Sequence, residues 1–433
     1  MRGVRQGKAA AIRLRSSRGG RALSIVLLTA LGACGGSEGV SGPPDGGGDD
    51  LRPGLTVTVE LDSDAAAIGQ QLGWTAGVPG AEVRIHRIGT AFAWETATTD
   101  ADGVARFEDA IAGRYRVAAH RPLNEQEQSA VGAAALALGD GVLRNVATNA
   151  EATLHQTPDR RGSLVISEVY ATTPFTAETR YDWHYYFELY NNSDQTVYLD
   201  RKIWGTNLGI PDKEFSTFSC SASEPWRNDP DGIWAHFLHR FPGGGTDHPL
   251  APGDFAVVAL DAVDHSSIDP RFPDLSGADF ELLGSADVDN PDVPNLPEVG
   301  VEPFQLGHGL RFFIGHVFFI AEDLNVAALE RGTLTTISGD IEYLKLPAEA
   351  LIDVLDTEDD DALEEQEFPP CDGKVHRSFD RLGGGFVEHG GDLEFSVQRM
   401  VIGADGGRVI LQDTNTGAVD LIRARHTPEL PPP

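Results

Sequence analysis

The sequence lacks several features that would assign it to a familiar class of protein. Its apolar run near the N-terminus, Ala22 to Leu31, has about ten residues, whereas a membrane-spanning helix needs about twenty. Basic residues are few, because 34 Lys and Arg stand against 66 Asp and Glu, a formal net charge of −32. Such a charge repels nucleic acid and anionic lipid headgroups, so no nucleic-acid partner is expected.

Motifs for common chemistries are also missing. The sequence has no Gly-x-Ser-x-Gly elbow, no phosphate-binding glycine loop with its lysine, and no His-Glu-x-x-His helix. His236 and His239 lie near His248 and His265, but a spacing of three on a strand puts the first two on opposite faces, which argues against a shared zinc ion. Acids are so numerous that spacing alone identifies no general acid. We predict no catalytic residues and expect a protein that is not an enzyme.

The composition favours a mainly β protein of more than one domain. A length of 433 residues suggests two or three domains, and 41 % hydrophobic residues are enough for packed cores. The 49 glycines and 26 prolines indicate many turns. We therefore expect two β-sandwich domains after an N-terminal leader.

The leader, residues 1–33, carries an export signal. Seven basic residues precede the apolar run, and Leu31-Gly-Ala-Cys34 follows it. This arrangement resembles a bacterial lipoprotein signal peptide with its lipobox. The resemblance implies that Cys34 is diacylated and holds the mature chain at a membrane through its lipid. The alternative is a chance cysteine after a basic leader.

The segment after the lipobox, residues 34–54, is rich in Gly, Pro, Ser and Asp, and predicts a flexible acidic tether. Cleavage would leave 27 basic residues against 66 acidic ones, a mature net charge of −39. Gly35 stands after the lipidated cysteine in place of Asp, which is compatible with outer-membrane sorting in Gram-negative cells. We expect an exported protein, lipid-anchored in the cell envelope at the outer membrane.

Two cysteines remain in the mature chain, Cys220 and Cys371. Export compartments permit disulfides, and two cysteines allow one intramolecular pairing. We predict a Cys220–Cys371 disulfide that closes a long loop and stabilises the fold by about 3–5 kcal/mol. Two separate buried thiols are the alternative.

Residues 55–157 predict the first sandwich. Strand alternation is clean in Ala81 to His86, and Asp102-Gly103 predicts a hairpin turn between two extended runs. Asp100 and Asp102 could begin a calcium loop, but the other ligands of such a loop are missing, so turn chemistry is favoured. Residues 124–138 permit a helix, which Gly132 weakens.

The order of three segments in this region resembles the carboxypeptidase regulatory-like, or transthyretin-like, β-sandwich. They are Pro79-Gly80-Ala81, Thr98-Thr-Asp-Ala-Asp-Gly103 and Gly113-Arg-Tyr-Arg-Val117. The resemblance implies a structural spacer.

Residues 163–426 predict a larger β domain, followed by a Pro-rich tail at 427–433. Leu164 to Tyr170 and Tyr185 to Tyr190 favour strands, and Asn191-Asn-Ser-Asp194 favours a turn. Together with Val197-Tyr-Leu199, this pattern resembles the lamin-tail domain, an immunoglobulin-like sandwich, here with long loops.

Later segments extend the likeness to an uncharacterised family of bacterial lipoproteins, the domain of unknown function four-eight-seven-six. They are Phe255 to His265, Gly277 to Glu281, Asp289 to Leu296, Ser396 to Met400 and, most specifically, Ile410 to Asp420. The resemblance covers nearly all of residues 163–421. It implies an exported lipoprotein with a spacer ahead of the main domain, and it supplies no activity and no functional residues.

Two groups of residues are candidate binding sites. Asp287, Asp289 and Asp292 in a Pro-containing loop suit a calcium ion, the alternative being a solvated acidic loop. Tyr181, Trp183, Tyr185 and Tyr186 could form an exposed surface for a carbohydrate, a small ligand or a partner protein. The alternative is that Trp183, Tyr185 and Phe187 line the core while His184 and Tyr186 cover a sheet edge.

The sequence therefore predicts a cell-envelope lipoprotein that acts as a non-catalytic binding or interaction module, as an accessory to an outer-membrane transporter. An adhesin or surface scaffold is the main alternative. A β-sandwich hydrolase is a further one, and it would require acids and histidines to converge in a pocket.

Overall fold

The fold was obtained as a computed structural model. Residues 50–433 form one compact unit. None of the described helices is long and apolar enough to cross a membrane. The structure describes residues 52–74, 77–87, 95–132, 137–148, 150–159, 164–171, 181, 183–207, 220–282, 289–300, 317–336, 339–359, 374–376, 378–380, 385–387, 393–405 and 407–428.

The first sandwich is one seven-stranded sheet folded over its own core. Its order is β3-β2-β5-β6-β7-β1-β4, antiparallel except for the parallel pair β1 and β7. The strands are β1 (Leu55–Leu61), β2 (Glu82–Arg87), β3 (Glu95–Thr98), β4 (Val104–Phe107), β5 (Gly113–Pro122), β6 (Ala137–Val146) and β7 (Ala150–Asp159). Two short helices accompany them, α1 (Ala66–Leu72) and α2 (Glu125–Val131).

The fold-over occurs where β6 and β7 separate after pairing only from Ala137 to Gly139. Polar side chains bridge the strands there: the His155 backbone N–H donates to Asp140 Oδ2 at 2.6 Å, and Gln156 Nε2 donates to the carbonyl of Ala119 at 3.1 Å. The inward residues of all seven strands then share one hydrophobic cluster.

Local sequence signals account for the elements of this sandwich. The turn at Asp102-Gly103 is confirmed, with Gly103 at φ 78° and Asp100 Oδ1 accepting the backbone N–H groups of Asp102 and Val104, each at 3.0 Å. Asp100 therefore serves turn chemistry. The predicted helix is confirmed in shortened form as α2, which begins with a capping box at Asn124 and ends at Gly132.

The second sandwich is built from strands β8 to β26. Its longest sheet has the order β17-β16-β15-β9-β8-β23-β26, a second has the order β13-β11-β18-β21-β22, and a third has the order β12-β20-β19. The strands of the first sheet are β8 (Leu164–Tyr170), β9 (Tyr186–Asn191), β15 (Phe255–Ala259), β16 (Phe280–Leu282), β17 (Asn295–Leu296), β23 (Phe395–Arg399) and β26 (Leu421–Arg425).

The remaining strands of the second and third sheets and of two strand pairs, β10-β14 and β24-β25, complete the list. They are β10 (Val197–Tyr198), β11 (Ile203–Thr206), β12 (Gly232–Ala235), β13 (Phe237–Arg240), β14 (Pro249–Leu250), β18 (Val317–Ala321), β19 (Glu330–Thr336), β20 (Gly339–Pro347), β21 (Leu351–Asp359), β22 (Gly385–Val387), β24 (Val401–Asp405) and β25 (Arg408–Leu411). The helices are α3 (Cys220–Arg227) and α4 (Gly417–Asp420), with 3₁₀ turns at Ser63–Ala65, His265–Ser267, Val326–Ala328 and Ala348–Ala350.

These three sheets stack in layers with the five-stranded sheet in the middle. Phe187 of the seven-stranded sheet stacks on Trp204 of β11 with ring centroids 4.7 Å apart, inside the main core. The opposite face of the middle sheet packs Phe319 against Leu344 and Ile233 of the three-stranded sheet. The mainly β fold is confirmed, and the second sandwich carries a third layer.

Candidate functional site

A pair of glutamates lies on the seven-stranded sheet of the second sandwich, on the face opposite the main core. Glu168 on β8 and Glu188 on β9 are directly paired across the two strands, and their side chains are 1 % and 0 % exposed. Ser167 is an extra residue in β8, a β-bulge, and its hydroxyl donates to Glu188 Oε1 at 2.7 Å. The bulge puts two acidic side chains side by side in a buried place.

One oxygen of Glu168 collects most of the hydrogen bonds. Its Oε1 accepts from groups on three parts of the chain, and its Oε2 has no hydrogen-bond partner among the described residues. The donors to Oε1 are the Tyr186 hydroxyl at 2.5 Å, the Ser396 hydroxyl at 2.6 Å, the Thr427 backbone N–H at 3.1 Å and Gln398 Nε2 at 3.3 Å.

Burial governs the charge of this carboxyl pair. It raises the pKa of Glu188 to about 8, and the neighbouring Glu168 charge adds to the rise. Burial also raises the pKa of Glu168, although the hydrogen bonds from Ser396 and Tyr186 oppose the shift. Two adjacent carboxyls in a dry place cannot both ionise at neutral pH. The pair therefore holds at least one proton near pH 7.

Aromatic rings cover the approach to the pair. Tyr170 on β8 packs against Tyr186, with ring centroids 5.5 Å apart, and both lie in a cluster with residues of the segment after β15. His184 stacks on Phe272 from that segment at 3.9 Å. Tyr181 bonds His265 Nδ1 through its hydroxyl at 2.6 Å. The glutamate pair is thus buried away from solvent. The hydrogen bonds of Glu168 join β8 to β9, to β23 and to the residues after β26.

A second buried polar cluster surrounds Arg399 at the end of β23. Its Nη2 bonds both oxygens of Asp353 on β21 at 2.6 and 2.8 Å, and its Nε donates to the carbonyl of Ile166 at 2.9 Å. Asp353 in turn accepts the Ile166 backbone N–H at 2.6 Å. Burial raises the pKa of Asp353 to about 6, although the Arg399 charge opposes this. The cluster links the seven-stranded and five-stranded sheets.

The closing loop, residues Gln412 to Asp420, is organised by its own last residue. Asp420 accepts the backbone N–H groups of Thr414 at 2.8 Å and Thr416 at 3.1 Å, and lies 3.7 Å from Arg399 Nη1. The Gly417 backbone N–H donates to Asp380 at 2.9 Å. The most specific part of the predicted family pattern is thus a loop held by its own Asp420 and, from outside it, by Asp380.

The predicted aromatic surface is wrong for two of its four members. Tyr185 and Tyr186 are each 0 % exposed. Tyr186 begins β9, an interior strand, and lies under the aromatic cover, whereas Tyr185, just before β9, packs in the main core. Trp183 is half-buried and packs against the main core, and Tyr181 is half-buried with its hydroxyl bonded to His265. The alternative placement of Tyr185 and Phe187 in the core is correct.

Two members of the predicted calcium site are described. Asp289 and Asp292 are exposed, and Asp289 Oδ1 accepts from Asn295 Nδ2 at 2.6 Å. Asp287 lies outside the described residues, so calcium binding there stays a prediction. Within the described ranges, no three His, Cys, Asp or Glu side chains are grouped to hold a metal ion.

The histidines predicted to diverge do so. His236 Nδ1 bonds the carbonyl of Glu342 at 2.7 Å in the three-stranded sheet, whereas His239 lies against Trp204 with ring centroids 5.6 Å apart.

The two predictions about cysteine concern side chains that the structure does not describe. Cys34, Cys371 and the side chain of Cys220 lie outside the described residues. Lipidation and the disulfide therefore stay predictions.

Sequence reasoning missed Glu168 and Glu188 as a pair. Each is a lone acid inside a strand of otherwise uncharged residues, in Leu164–Tyr170 and Tyr186–Asn191. A buried-strand composition interrupted by one glutamate was the available signal.

Comparison with known proteins agrees with the family resemblance. Residues 251–428 match the family model described as a protein of unknown function, DUF4876. The crystal structure of a DUF4876 family protein from Bacteroides thetaiotaomicron is similar at 15 % identity and a TM-score of 0.47, covering 88 % of this chain and 95 % of that one. A candidate adhesin from Bacteroides ovatus aligns at 9 % identity and a TM-score of 0.17, covering 78 % and 93 %. No curated protein matches the chain.

Proposed function

We propose that the protein is an exported lipoprotein of the outer membrane, anchored through Cys34, whose sandwiches form a non-catalytic interaction module. The observation that supports a non-catalytic function is that the buried ionisable groups of the second sandwich hold strands together. Glu168, Glu188 and Arg399 are each at most 1 % exposed, and their hydrogen bonds join strands. A catalytic acid or base must reach the proton it transfers, and these groups are committed to the fold.

A protein partner fits the proposed interaction module better than a carbohydrate does. Tyr185 and Tyr186, which would have stacked on a sugar, lie inside the fold. The predicted mature chain instead has 66 acids against 27 basic residues, an excess that favours a partner with a basic surface. We propose that this partner is a transporter of the outer membrane, reached through the acidic tether.

Membrane anchoring is tested by cell fractionation of a Cys34→Ser variant. The wild-type protein should be in the outer-membrane fraction and enter detergent, whereas the variant should be soluble. Gly36→Ala is the matched control, because it leaves the lipobox cysteine in place. Membrane retention of Cys34→Ser at the wild-type level would contradict the anchor.

The partner is tested by photo-crosslinking in intact cells. A photoreactive amino acid at Tyr198, which is 41 % exposed, should crosslink the lipidated protein to an outer-membrane transporter. An adhesin would give no such crosslink, and deleting the gene would reduce attachment of the cells to a surface. A hydrolytic activity that Glu188→Gln abolishes in a folded protein would overturn the non-catalytic proposal.

A further inference from the structure

One face of the first sandwich is buried although it points away from that sandwich's own core. Along β5, Val117 and Ala119 belong to the core, so Arg116, Ala118 and His120 occupy the opposite face. These three side chains are only 1 %, 0 % and 7 % exposed. Another part of the chain must therefore cover the outer face of β5.

The middle of this outer face is flat because its residues are small. Ala118 pairs with Gly141 of β6, and His120 pairs with Gly139. On the other side of β5, Glu82 pairs with His120 and Arg84 pairs with Ala118. A flat centre with polar side chains beside it allows another backbone to approach closely.

The closing loop and its neighbours lie on that face. A Cβ added at Gly139 would be 2.5 Å from Thr414 Oγ1 and 2.7 Å from Thr414 Cβ, so the two residues are in direct contact. Helix α4 packs against β5 and β6. At the side of the contact, Arg84 Nη2 lies 4.0 Å from Met400 Sδ.

The loop is stiff enough to serve as a docking surface. Asp420 accepts from the Thr414 hydroxyl at 2.7 Å as well as from backbone N–H groups, which fixes the residue that meets Gly139. Asp380 holds the start of α4 through the Gly417 backbone N–H. A loop held at Thr414 and at Gly417 loses little further conformational entropy when a partner packs on it.

We infer that the closing loop is a docking element for the first sandwich, and that contact between Thr414 and Gly139 makes the two sandwiches one cooperative body. The first sandwich is then a fixed part of the interaction module, not a spacer that swings on a linker. The inference is independent of any partner and of the membrane anchor.

The docking is tested on the full mature chain with Gly139→Val. Wild-type protein should unfold in one calorimetric transition, and its 412–420 peptides should exchange amide hydrogen slowly. The valine should collide with Thr414, split the transition in two, and speed exchange in residues 412–420 at least tenfold. Gly277→Val is the matched control, because a Cβ at Gly277 meets no atom within 4 Å, and it should leave both measurements unchanged.

Met400→Lys provides a second variant in case Gly139→Val does not fold. Met400 is half-buried beside Arg84, so a lysine there brings two positive charges together at the contact and should speed exchange in 412–420. Two separate transitions in wild-type protein, or unchanged exchange of 412–420 in the folded variants, would overturn the inference.

Discussion

Glu168 and Glu188 face each other across neighbouring antiparallel strands, with both carboxyl groups buried. The β-bulge at Ser167 that places them also turns Ile166 towards Asp353 and Arg399. One irregularity in β8 thus supports a proton-binding pair on one face of the sheet and a buried ion pair on the other.

The carboxyl pair gives stability a dependence on pH that Glu188→Gln should reduce. Burial raises the pKa of Glu188 from 4.5 in the unfolded chain to about 8 in the folded protein. The stabilisation that comes from the protonated carboxyl is therefore fully present below pH 4.5 and is lost as pH rises to 8. One proton corresponds to about 1.4 kcal/mol per pH unit. Urea unfolding between pH 5 and 8 should show a smaller loss of stability for the variant.

The control for this prediction is Glu151→Gln, since Glu151 is exposed on β7. It should leave the slope of unfolding free energy against pH unchanged. Equal slopes for wild type and Glu188→Gln would show that Glu188 is not the titrating group.

His120 should give stability the opposite dependence on pH, in the acid range. Burial first, and then the Arg84 charge, lower the pKa of His120 from 6.5 to about 4, while Glu82 opposes the shift. Folded protein therefore binds fewer protons than unfolded protein between these values, and stability falls as pH drops from 6.5 to 4. His120→Gln should flatten this fall in urea unfolding, whereas His155→Gln, at an exposed side chain, should not.

Arg399→Met should destabilise the second sandwich strongly. The substitution leaves Asp353 and Asp420 buried without their cation, and breaking such a buried pair costs about 3–5 kcal/mol. Adding Asp353→Asn should recover part of the loss, giving a non-additive double-mutant cycle in denaturant unfolding. Additive effects of the two substitutions would mean that the side chains are not coupled. Arg425→Met, at an exposed ion pair, should change little.

Gly243→Ala should disturb the loop that Asp200 holds. Asp200 accepts the backbone N–H groups of Asp247 and His248, each at 2.8 Å, and a Cβ at Gly243 would lie 2.7 Å from Asp200 Cγ. Gly407→Ala is the control, because Gly407 also has positive φ but meets no atom within 4 Å. The Gly243 variant should lose about 1–3 kcal/mol more in chemical denaturation, the cost of overpacking; equal losses would contradict the contact.

The disulfide prediction is checked by thiol titration of the exported protein. Unfolded without reductant, the mature chain should expose no free thiol, and after reduction it should expose two, from Cys220 and Cys371. Two thiols before reduction would rule out the bond. The predicted lipidation of Cys34 would block its sulfur, so Cys34 should add no thiol to this count.

Short-range features could be predicted from the sequence because neighbouring residues decide them. The Asp102-Gly103 turn and the alternation of Val83 and Ile85 are set by local backbone preference and period. Glu168 shows the limit, since counting alternate residues from Leu164 and Ile166 puts it in the core. The extra residue Ser167 reverses the faces after it, and no local signal reveals a bulge.

The burial of the glutamate pair and of Tyr186 could not be predicted from the sequence either. Tyr186 is buried because residues after β15 return over the sheet, and Glu168 bonds Ser396 from a strand more than two hundred residues away. The third layer has the same origin, as β12 and β20 pair across the chain. Such long-range pairings depend on the whole topology and not on periodicity.

The position of β8 between β9 and β23 sets an order of assembly. Any process that delivers the chain from its N-terminus, whether synthesis or export, supplies all of the first sandwich within residues 55–159. The seven-stranded sheet of the second sandwich begins with β8 at Leu164 but is complete only when β23 (Phe395–Arg399) and β26 (Leu421–Arg425) have been supplied. The edge of β8 that pairs with β23 stays unpaired until then. Truncation before β23 should therefore leave the first sandwich with all seven of its strands but without the closing loop that covers β5, and should leave one edge of β8 unpaired and open to proteases.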